Sequence, residues 1–243
     1  MQSLHWKDSF PLDLSIVNIK IEAVNKPSNY HHGNLRLAML EAADKVLQEH
    51  GLQGFTLRAC AREAGVSHAA PKHHFGDVKG LLTAVAERGF ARLVEALTKE
   101  VGAVAGDLDA EMIATARAYI QFAEDYPEHF RIMFRTDLTD IDPSAPPTAV
   151  LATFTELTNI ILRQRGEREL EMHEMALEKS NALVNDIILG WSHIHGYAHL
   201  KLEGGLIFTT DDMQEEQMTT AALRLAHLIR NYTFSQASPN QDD

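Results

Sequence analysis

The 243-residue sequence contains a single cysteine, Cys60. An internal disulfide framework is therefore excluded, and we expect a reducing compartment, the cytoplasm. No apolar run approaches the roughly 18 residues that a membrane-spanning helix requires, which predicts no association with a membrane. The first ten residues contain Lys7 and Asp8 and lack the apolar centre of a secretion signal. These absences together favour a soluble globular protein.

Motifs for catalysis are absent as well. The sequence has no G-x-S-x-G, no G-x-x-x-x-G-K and no G-x-G-x-x-G. It therefore lacks the motif of the common nucleophile elbow and the motifs of two common phosphate-binding loops. Cys60 is surrounded by alanines and is interpreted as a small core residue. We therefore predict no catalytic residue and no cofactor. An all-α enzyme is the alternative; it would turn over a substrate and would not bind duplex DNA.

Thirteen histidines raise the question of a metal site. His195 and His199 are separated by one helical turn, but no third ligand accompanies them. The zinc-binding motif His-Glu-x-x-His and the di-iron motif Glu-x-x-His do not occur in the sequence. We predict that no residue binds metal and that the histidines are exposed or hydrogen-bonded. A metal-sensing helical bundle stays open as a second alternative.

The net charge of −12 is distributed unevenly along the chain. Residues 30–100 carry nine basic and eight acidic groups together with six histidines, whereas residues 101–243 carry 10 basic and 23 acidic groups. Residues 1–29 are balanced, with three groups of each sign. A polyanion such as nucleic acid could therefore approach only the front part of the chain.

Helix start and stop signals dominate after residue 29, and they predict an all-α fold. Thr56, Ser67 and Asp77 are placed to cap helices, while Gly51 and Gly65 follow apolar stripes and should end them. The apolar periodicity predicts helices at about 34–50, 56–65, 67–75, 78–104, 108–125, 127–136, 146–165, 168–201 and 212–234. Residues 236–243 form a polar tail. In residues 1–29, apolar and polar side chains alternate loosely, as in a strand. A mobile or partner-bound arm is an equal alternative, and we assign no function to these residues.

Three short helices followed by a long one, with Gly65-Val66-Ser67 between the second and third, form a helix-turn-helix pattern. Pro71 falls in the first turn of the third helix, where its missing N–H costs least. The exposed side of that helix is expected to enter the major groove, with hydroxyls and cations beside it on the phosphates. A helical domain without a DNA role shares this pattern and is the alternative. The predicted DNA-contacting residues are Thr56, Arg58, Ser67, His68, Ala69, Lys72, His73, His74 and Lys79.

Residues 30–92 resemble the DNA-binding domain of TetR-family transcriptional regulators. The resemblance is carried by "TLRACAREAGVS", the helix start "HAAP", "HHF", and the leucine pair Leu81-Leu82 that opens the long helix. It implies a repressor that binds a double-stranded DNA operator as a homodimer. The chain departs from the family at two positions: Lys72 stands where a phosphate-contacting tyrosine is usual, and Val78 stands where a basic residue is usual. Lysine supplies a point charge there without an aromatic ring.

Two segments of the acidic part resemble one class of TetR C-terminal domain, named for its Trp–His–Gly signature (WHG-type). They are "NDIILGWSHIHGYAHL", with Trp191, His195 and Gly196, and "YPEHFRIMF". This resemblance implies a helical domain that senses a small-molecule effector and dimerises.

Helical spacing gives an independent view of the same segment. One face carries Val184, Ile188, Trp191, His195 and His199, and another carries Leu189, His193, Tyr197 and Leu200. A helix that is apolar on two faces is expected to be buried, with one face on a pocket and the other on a second subunit. Filling of the core by these aromatics is the alternative. The predicted ligand-binding residues are Phe122, Phe130, Met133, Phe134, Trp191 and His195.

These patterns predict a helix-turn-helix domain at 30–77 and a helical-bundle domain for ligand binding and dimerisation at 78–235. The helices at 178–200 and 213–234 would form half of a four-helix dimer interface, with packing inside one chain as the alternative. Two subunits would match operator half-sites about 34 Å apart. An effector would shift the 78–104 helix and separate the recognition helices, which requires tighter binding to the state that does not bind DNA.

Overall fold

The structure, a computed structural model, describes residues 32–177 and 179–237. These residues form helices and loops without a strand, so the prediction of an all-α fold is confirmed. The unassigned arm at 1–29 and the tail from 238 onward lie outside the described residues. The helices are α1 (His32–His50), α2 (Leu57–Glu63), α3 (Ala70–Phe75), α4 (Val78–Gly102), α5 (Leu108–Asp125), α6 (Pro127–Met133), α7 (Thr148–Arg165), α8 (Asn181–Leu202) and α9 (Asp211–Ala237), with short 3-10 turns at Leu52–Gly54 and Met172–Ala176.

Both ends of α2 are set by residues next to it in sequence. The side chain of Thr56 accepts a hydrogen bond of 3.0 Å from the Ala59 N–H, which is the predicted N-cap. At the other end Gly65 adopts φ +66°, and the next N–H, of Val66, donates to the Ala61 carbonyl at 3.0 Å. This left-handed glycine with a backward hydrogen bond is a Schellman motif, which stops the helix and turns the chain toward α3.

The start of α3 differs from the prediction. Ser67 does not cap this helix, because α3 begins at Ala70 with Ala69 at the N-cap and no side-chain hydrogen bond there. The backbone carbonyl of Ser67 instead accepts from the Ala70 N–H at 3.1 Å, so 67–70 is a turn that precedes the helix. Pro71 lies in the first turn, as predicted, and fixes φ there without losing a hydrogen bond.

The predicted helix at 168–201 is wrong in its first part. Gly166 ends α7 at φ +69°, and the side chain of Asn159 then holds the Leu170 backbone through two hydrogen bonds of 2.8 and 3.0 Å. A backbone tied to a neighbouring helix in this way cannot make its own helical ladder. The chain forms only a 3-10 turn before Ser180 caps α8 by accepting from the Leu183 N–H.

The long helix α4 is the central element of the molecule. It packs against α1 and α3 on one side and against α5, α6 and α7 on the other, so one buried core runs through both predicted domains. Helices α8 and α9 lie against α5 and α7. Within the single chain Ile188 and Leu189 of α8 are 53% and 41% exposed, so burial of a second face of α8 against another subunit stays a prediction. The division at residue 77 stays a prediction.

Candidate DNA-binding surface and effector cavity

The junction between α3 and α4 fixes the direction of the predicted recognition helix. Gly76 takes φ +73° and ψ −72°, and the Asp77 N–H donates to the Phe75 carbonyl at 2.8 Å, which is a tight turn of three residues. Asp77 then caps α4 by accepting from the Gly80 N–H at 3.0 Å. A Cβ at Gly80 would lie 1.9 Å from the Phe75 carbonyl oxygen, so only glycine fits this close approach.

The predicted DNA-contacting residues form the outer side of this unit. Pro71 and Phe75 are the buried residues of α3. The exposed members of the predicted set are Thr56, Arg58, Ser67, His68, Ala69, Lys72, His73 and His74, and Lys79 is half-buried. In the described part of the chain, Arg58 and Lys72 have no carboxylate within ion-pair distance. Their charges are therefore free to meet an anion.

Lys79 differs from the other predicted cations because it is already paired. Its ammonium lies 2.7 Å from the carboxylate of Asp140, in the loop that joins α6 to α7. The backbone N–H of Asp140 donates to the Thr83 hydroxyl at 2.8 Å, which holds that loop against α4. A phosphate contact by Lys79 would have to compete with this ion pair. The sequence of residues 72–79 gives no sign of the pair, because Asp140 lies about 60 residues later in the chain.

A cluster of charged groups connects the front helices with α6. Asp44 of α1 lies 2.9 Å from Nε2 of His129 and accepts a 2.9 Å hydrogen bond from Arg92, with Arg88 at 3.2 Å. Burial opposes ionisation of Asp44, but the His129 hydrogen bond and the charges around it outweigh burial and lower its pKa. The Arg92 guanidinium also covers the Tyr126 ring at 4.6 Å. This cluster was not anticipated from the sequence, since α1 and α6 are far apart along the chain.

An enclosed cavity of about 60 Å³ lies between α5, α7, α8 and α9. Its walls are mainly apolar, with Met112, Ile161 and Met218 among them, and Trp191 is part of the lining. Apolar walls with few polar groups are typical of small-molecule sites. Its lining also includes His193 and Tyr197, which the spacing argument had placed on one face of α8.

Of the six predicted ligand-binding residues, Trp191 lines this cavity and the other five lie outside its lining. Three of the five, Phe130, Phe134 and His195, form an aromatic cluster with Trp191, in which the His195 ring stacks on Phe130 at 4.9 Å and meets Phe134 edge-on at 4.6 Å. Burial lowers the pKa of His195, and its Nδ1 is 2.9 Å from the Tyr119 hydroxyl. The cluster is a wall that supports Trp191. Ligand contact by these residues stays a prediction.

Helices α8 and α9 form an open groove on the other side of this region. Eight of the eleven large apolar side chains that are exposed in the described residues lie on α8, on α9 or on the loop between them. Ile207 and Phe208 of that loop are 90% and 76% exposed. Two residues, His193 and Leu225, line both the groove and the enclosed cavity. An exposed apolar surface of this extent marks an interaction site.

The described residues contain no cluster of three or more His, Cys, Asp or Glu side chains that could hold a metal ion. Within the same residues, none of the helices combines the length and apolar character needed to cross a membrane. Cys60 is fully buried, and burial raises the pKa of its thiol to about 11, so the thiol stays protonated and unreactive near neutral pH.

Two family models match the chain. Residues 39–85 match the model of bacterial regulatory proteins of the tetR family, and residues 112–225 match a tetracyclin repressor-like C-terminal domain. The first match contains α2, α3 and their junction with α4. The second contains the cavity and the aromatic cluster. The two together cover about two thirds of the chain.

Curated relatives are similar over about a third of the chain. The HTH-type transcriptional repressor AcnR of Corynebacterium glutamicum is 35% identical over 81 residues, which is 33% of this chain and 40% of the relative. The AcnR of Corynebacterium efficiens is 38% identical over 66 residues, 27% of this chain and 35% of the relative. The matched segment thus spans less than half the length of these relatives.

Solved structures are similar over most of the chain. A protein of unknown function from Rhodococcus sp. RHA1 is 29% identical with a TM-score of 0.66, covering 84% of this chain and 100% of that one. TetR-Q116A from Acinetobacter baumannii AYE, solved with minocycline, is 16% identical with a TM-score of 0.56, covering 84% and 99%, and shares the fold. The helix-turn-helix geometry and both family models agree, and in both of its parts this chain matches TetR-type bacterial regulatory proteins.

Proposed function

We propose that the protein is a transcriptional repressor that binds a palindromic DNA operator and releases it when a small molecule binds its C-terminal part. The observation that carries the proposal is the exposed, unpaired positive charge of Arg58 and Lys72 on the α2–α3 surface. Residues 39–85, which contain α2 and α3, match the model of bacterial regulatory proteins of the tetR family, and relatives named as repressors match about a third of the chain. A role on the chromosome places the protein in the bacterial cytoplasm. The enzyme and metal-sensing alternatives have no comparable support.

The contacts with DNA divide into two groups. Residues on the turn and on α3, namely His68, Ala69 and His73, would reach base edges in the major groove. Lys72 on the same side of α3 would place its point charge on a phosphate. Thr56 and Arg58 at the start of α2, together with Ser67, His74 and Lys79, would hold phosphates and fix the docking angle. Because Lys79 is paired with Asp140, we expect it to contribute less than Arg58 or Lys72.

The dimer is proposed to form through the groove of α8 and α9. The exposed apolar residues there, including Ile188, Leu189 and Leu228, would be buried against the same surface of a second copy. Such a face on two antiparallel helices suits a four-helix bundle. The dimer would present two α3 helices to successive major-groove turns, about 34 Å apart.

Release of the operator is proposed to begin at the cavity and its aromatic wall. Trp191, His195 and Gly196 lie on one helix there, which supports assignment to the Trp–His–Gly class of C-terminal domains. His129 and Phe130 are neighbours on α6, so movement of the wall would reach Asp44 and α4 directly. The effector must bind the released state more tightly than the DNA-bound state.

The proposal is tested by titrating the purified protein against duplexes from the upstream region of its own gene, with fluorescence anisotropy at several salt concentrations. Lys72→Ala should weaken operator binding about tenfold and reduce the salt slope by about one. The bound stoichiometry should be two chains per operator.

Lys99→Ala is the matched control. It removes the same charge from an exposed position near the far end of α4, about 30 Å from the start of that helix. It should leave affinity and salt slope unchanged. If Lys72→Ala and Lys99→Ala behave alike, Lys72 does not contact DNA. If no duplex is bound even at low salt, the proposed function is wrong.

A further inference from the structure

Apart from the exposed imidazole of His193, the walls of the cavity hold no carboxylate, ammonium or guanidinium group among the described residues. No Asp, Glu, Lys or Arg side chain is among the residues that line it in the described part of the chain. A charged group placed inside would lose its hydration without gaining a partner, which is costly in an apolar environment. The cavity therefore selects against ionised molecules.

Most polar groups in the lining are already used within the protein. The Thr115 hydroxyl donates to the Glu111 carbonyl at 2.7 Å, and the Tyr197 hydroxyl donates to the Gln214 carbonyl at 2.8 Å. The indole N–H of Trp191 is directed to the Tyr119 hydroxyl at 3.4 Å. These residues present mainly their carbon atoms to a ligand.

Thr158 is the exception among the buried residues of the lining, since His193 is exposed toward the α8–α9 groove. It lines the cavity and is only 1% exposed, and its hydroxyl has no hydrogen-bond partner among the described residues. The neighbouring buried threonines of α7, Thr153 and Thr155, are paired; Thr155, for example, donates to the Leu151 carbonyl at 2.8 Å. A buried hydroxyl without a partner costs free energy that a ligand oxygen would recover.

The size of the cavity limits the ligand as well. Its volume of about 60 Å³ is below the roughly 150 Å³ of an engineered cavity that binds benzene. The flexible side chains of Met112 and Met218 form part of the wall and could make room for one ring. His193 and Leu225 separate the cavity from the α8–α9 groove and would be the way in.

We propose that this cavity takes a compact, uncharged, largely apolar molecule whose single oxygen hydrogen-bonds to the Thr158 hydroxyl. The inference rests on the proposed ligand-responsive function and adds the chemical class of the effector. It predicts discrimination against carboxylates of the same skeleton.

The test uses the intrinsic fluorescence of Trp191 in the full chain. The sequence has two tryptophans, so Trp6→Phe leaves Trp191 as the single reporter in the cavity wall. Toluene, benzyl alcohol and benzoate are titrated at pH 7.5. The two uncharged probes should change the emission saturably, with benzyl alcohol bound more tightly, and benzoate should not.

Thr158→Val removes the hydroxyl and keeps the shape. It should weaken benzyl alcohol about fivefold to tenfold and leave toluene unchanged, whereas Thr155→Val on the same helix should change neither. The proposal is overturned if benzoate binds as well as benzyl alcohol, if no probe binds, or if Thr158→Val weakens both uncharged probes equally. Operator release is measured separately by anisotropy, so probes that bind as expected without releasing DNA would support the ligand class and count against the proposed release.

Discussion

The front helices and the rear helices of this protein are held in place by different kinds of contact. In the front, the turns around α3 are set by bonds between near neighbours: Thr56 with Ala59, and Asp77 with Gly80. In the rear, the decisive bonds join residues far apart in the chain, such as Arg163 with Glu111 at 2.6 Å. The front is therefore a rigid local unit, while the rear depends on how whole helices are packed, which a ligand can alter.

Gly80→Ala should have the largest effect, because it breaks the local unit at its tightest point. The new methyl group would meet the Phe75 carbonyl oxygen, and neither backbone segment can move without displacing α3 from α4. We expect a loss of about 3 kcal/mol or more in unfolding free energy by denaturant titration, and loss of operator binding.

Gly102→Ala is the control at the other end of the same helix. A Cβ there meets no atom within 4 Å, so stability should be unchanged or rise by up to about 1 kcal/mol. Equal stability of the two variants would contradict the description of the α3–α4 junction.

The same contrast explains how much of the fold could be predicted from the sequence. The helix caps at Thr56 and Asp77 and the helix stop at Gly65 depend only on residues within about four positions in the sequence. The predictions of these helix ends are confirmed. The break in the predicted 168–201 helix could not be predicted, because its cause is a side chain eleven residues earlier, Asn159, bound to the Leu170 backbone. Periodicity carries no information about such a clamp.

The candidate sites follow the same rule. The predicted DNA-contacting residues come from a single stretch of chain, and all of them except the half-buried Lys79 are exposed. The cavity takes its walls from four helices, so the sequence indicated Trp191 but placed His193 and Tyr197 on another face of α8 and gave no sign of Thr158 on α7. The aromatic residues that looked most suited to a ligand, Phe130 and Phe134, pack on His195 beside the cavity.

Asp44→Asn tests the connection between the two regions. It leaves Arg88, Arg92 and His129 without their shared carboxylate, and we expect a loss of about 1–3 kcal/mol at pH 7. The pKa of Asp44 in the folded protein lies below its ordinary value of 3.8, so its contribution is complete above that pH and disappears as the pH falls further. Chemical denaturation at pH 7 and near pH 3 should show the deficit shrinking.

Asp109→Asn serves as the comparison, since Asp109 forms an exposed ion pair with Arg230 and should contribute no more than about 0.5 kcal/mol. A deficit for Asp44→Asn that stays constant with pH would mean that shape, and not charge, holds α1 to α6.

The smallest expected change in stability concerns Thr56 and Ser67, two hydroxyl residues that both look like helix caps in the sequence. Thr56→Ala removes the hydrogen bond that caps α2 and should cost about 1 kcal/mol. Ser67→Ala should cost less than about 0.5 kcal/mol, because Ser67 interacts with the start of α3 through its backbone carbonyl alone. Both side chains are exposed on the proposed DNA surface, so operator binding should fall for each even though stability falls for only one. Thermal unfolding and anisotropy on the same samples distinguish the two effects, and a stability loss for Ser67→Ala equal to that of Thr56→Ala would show that the serine side chain caps α3 after all.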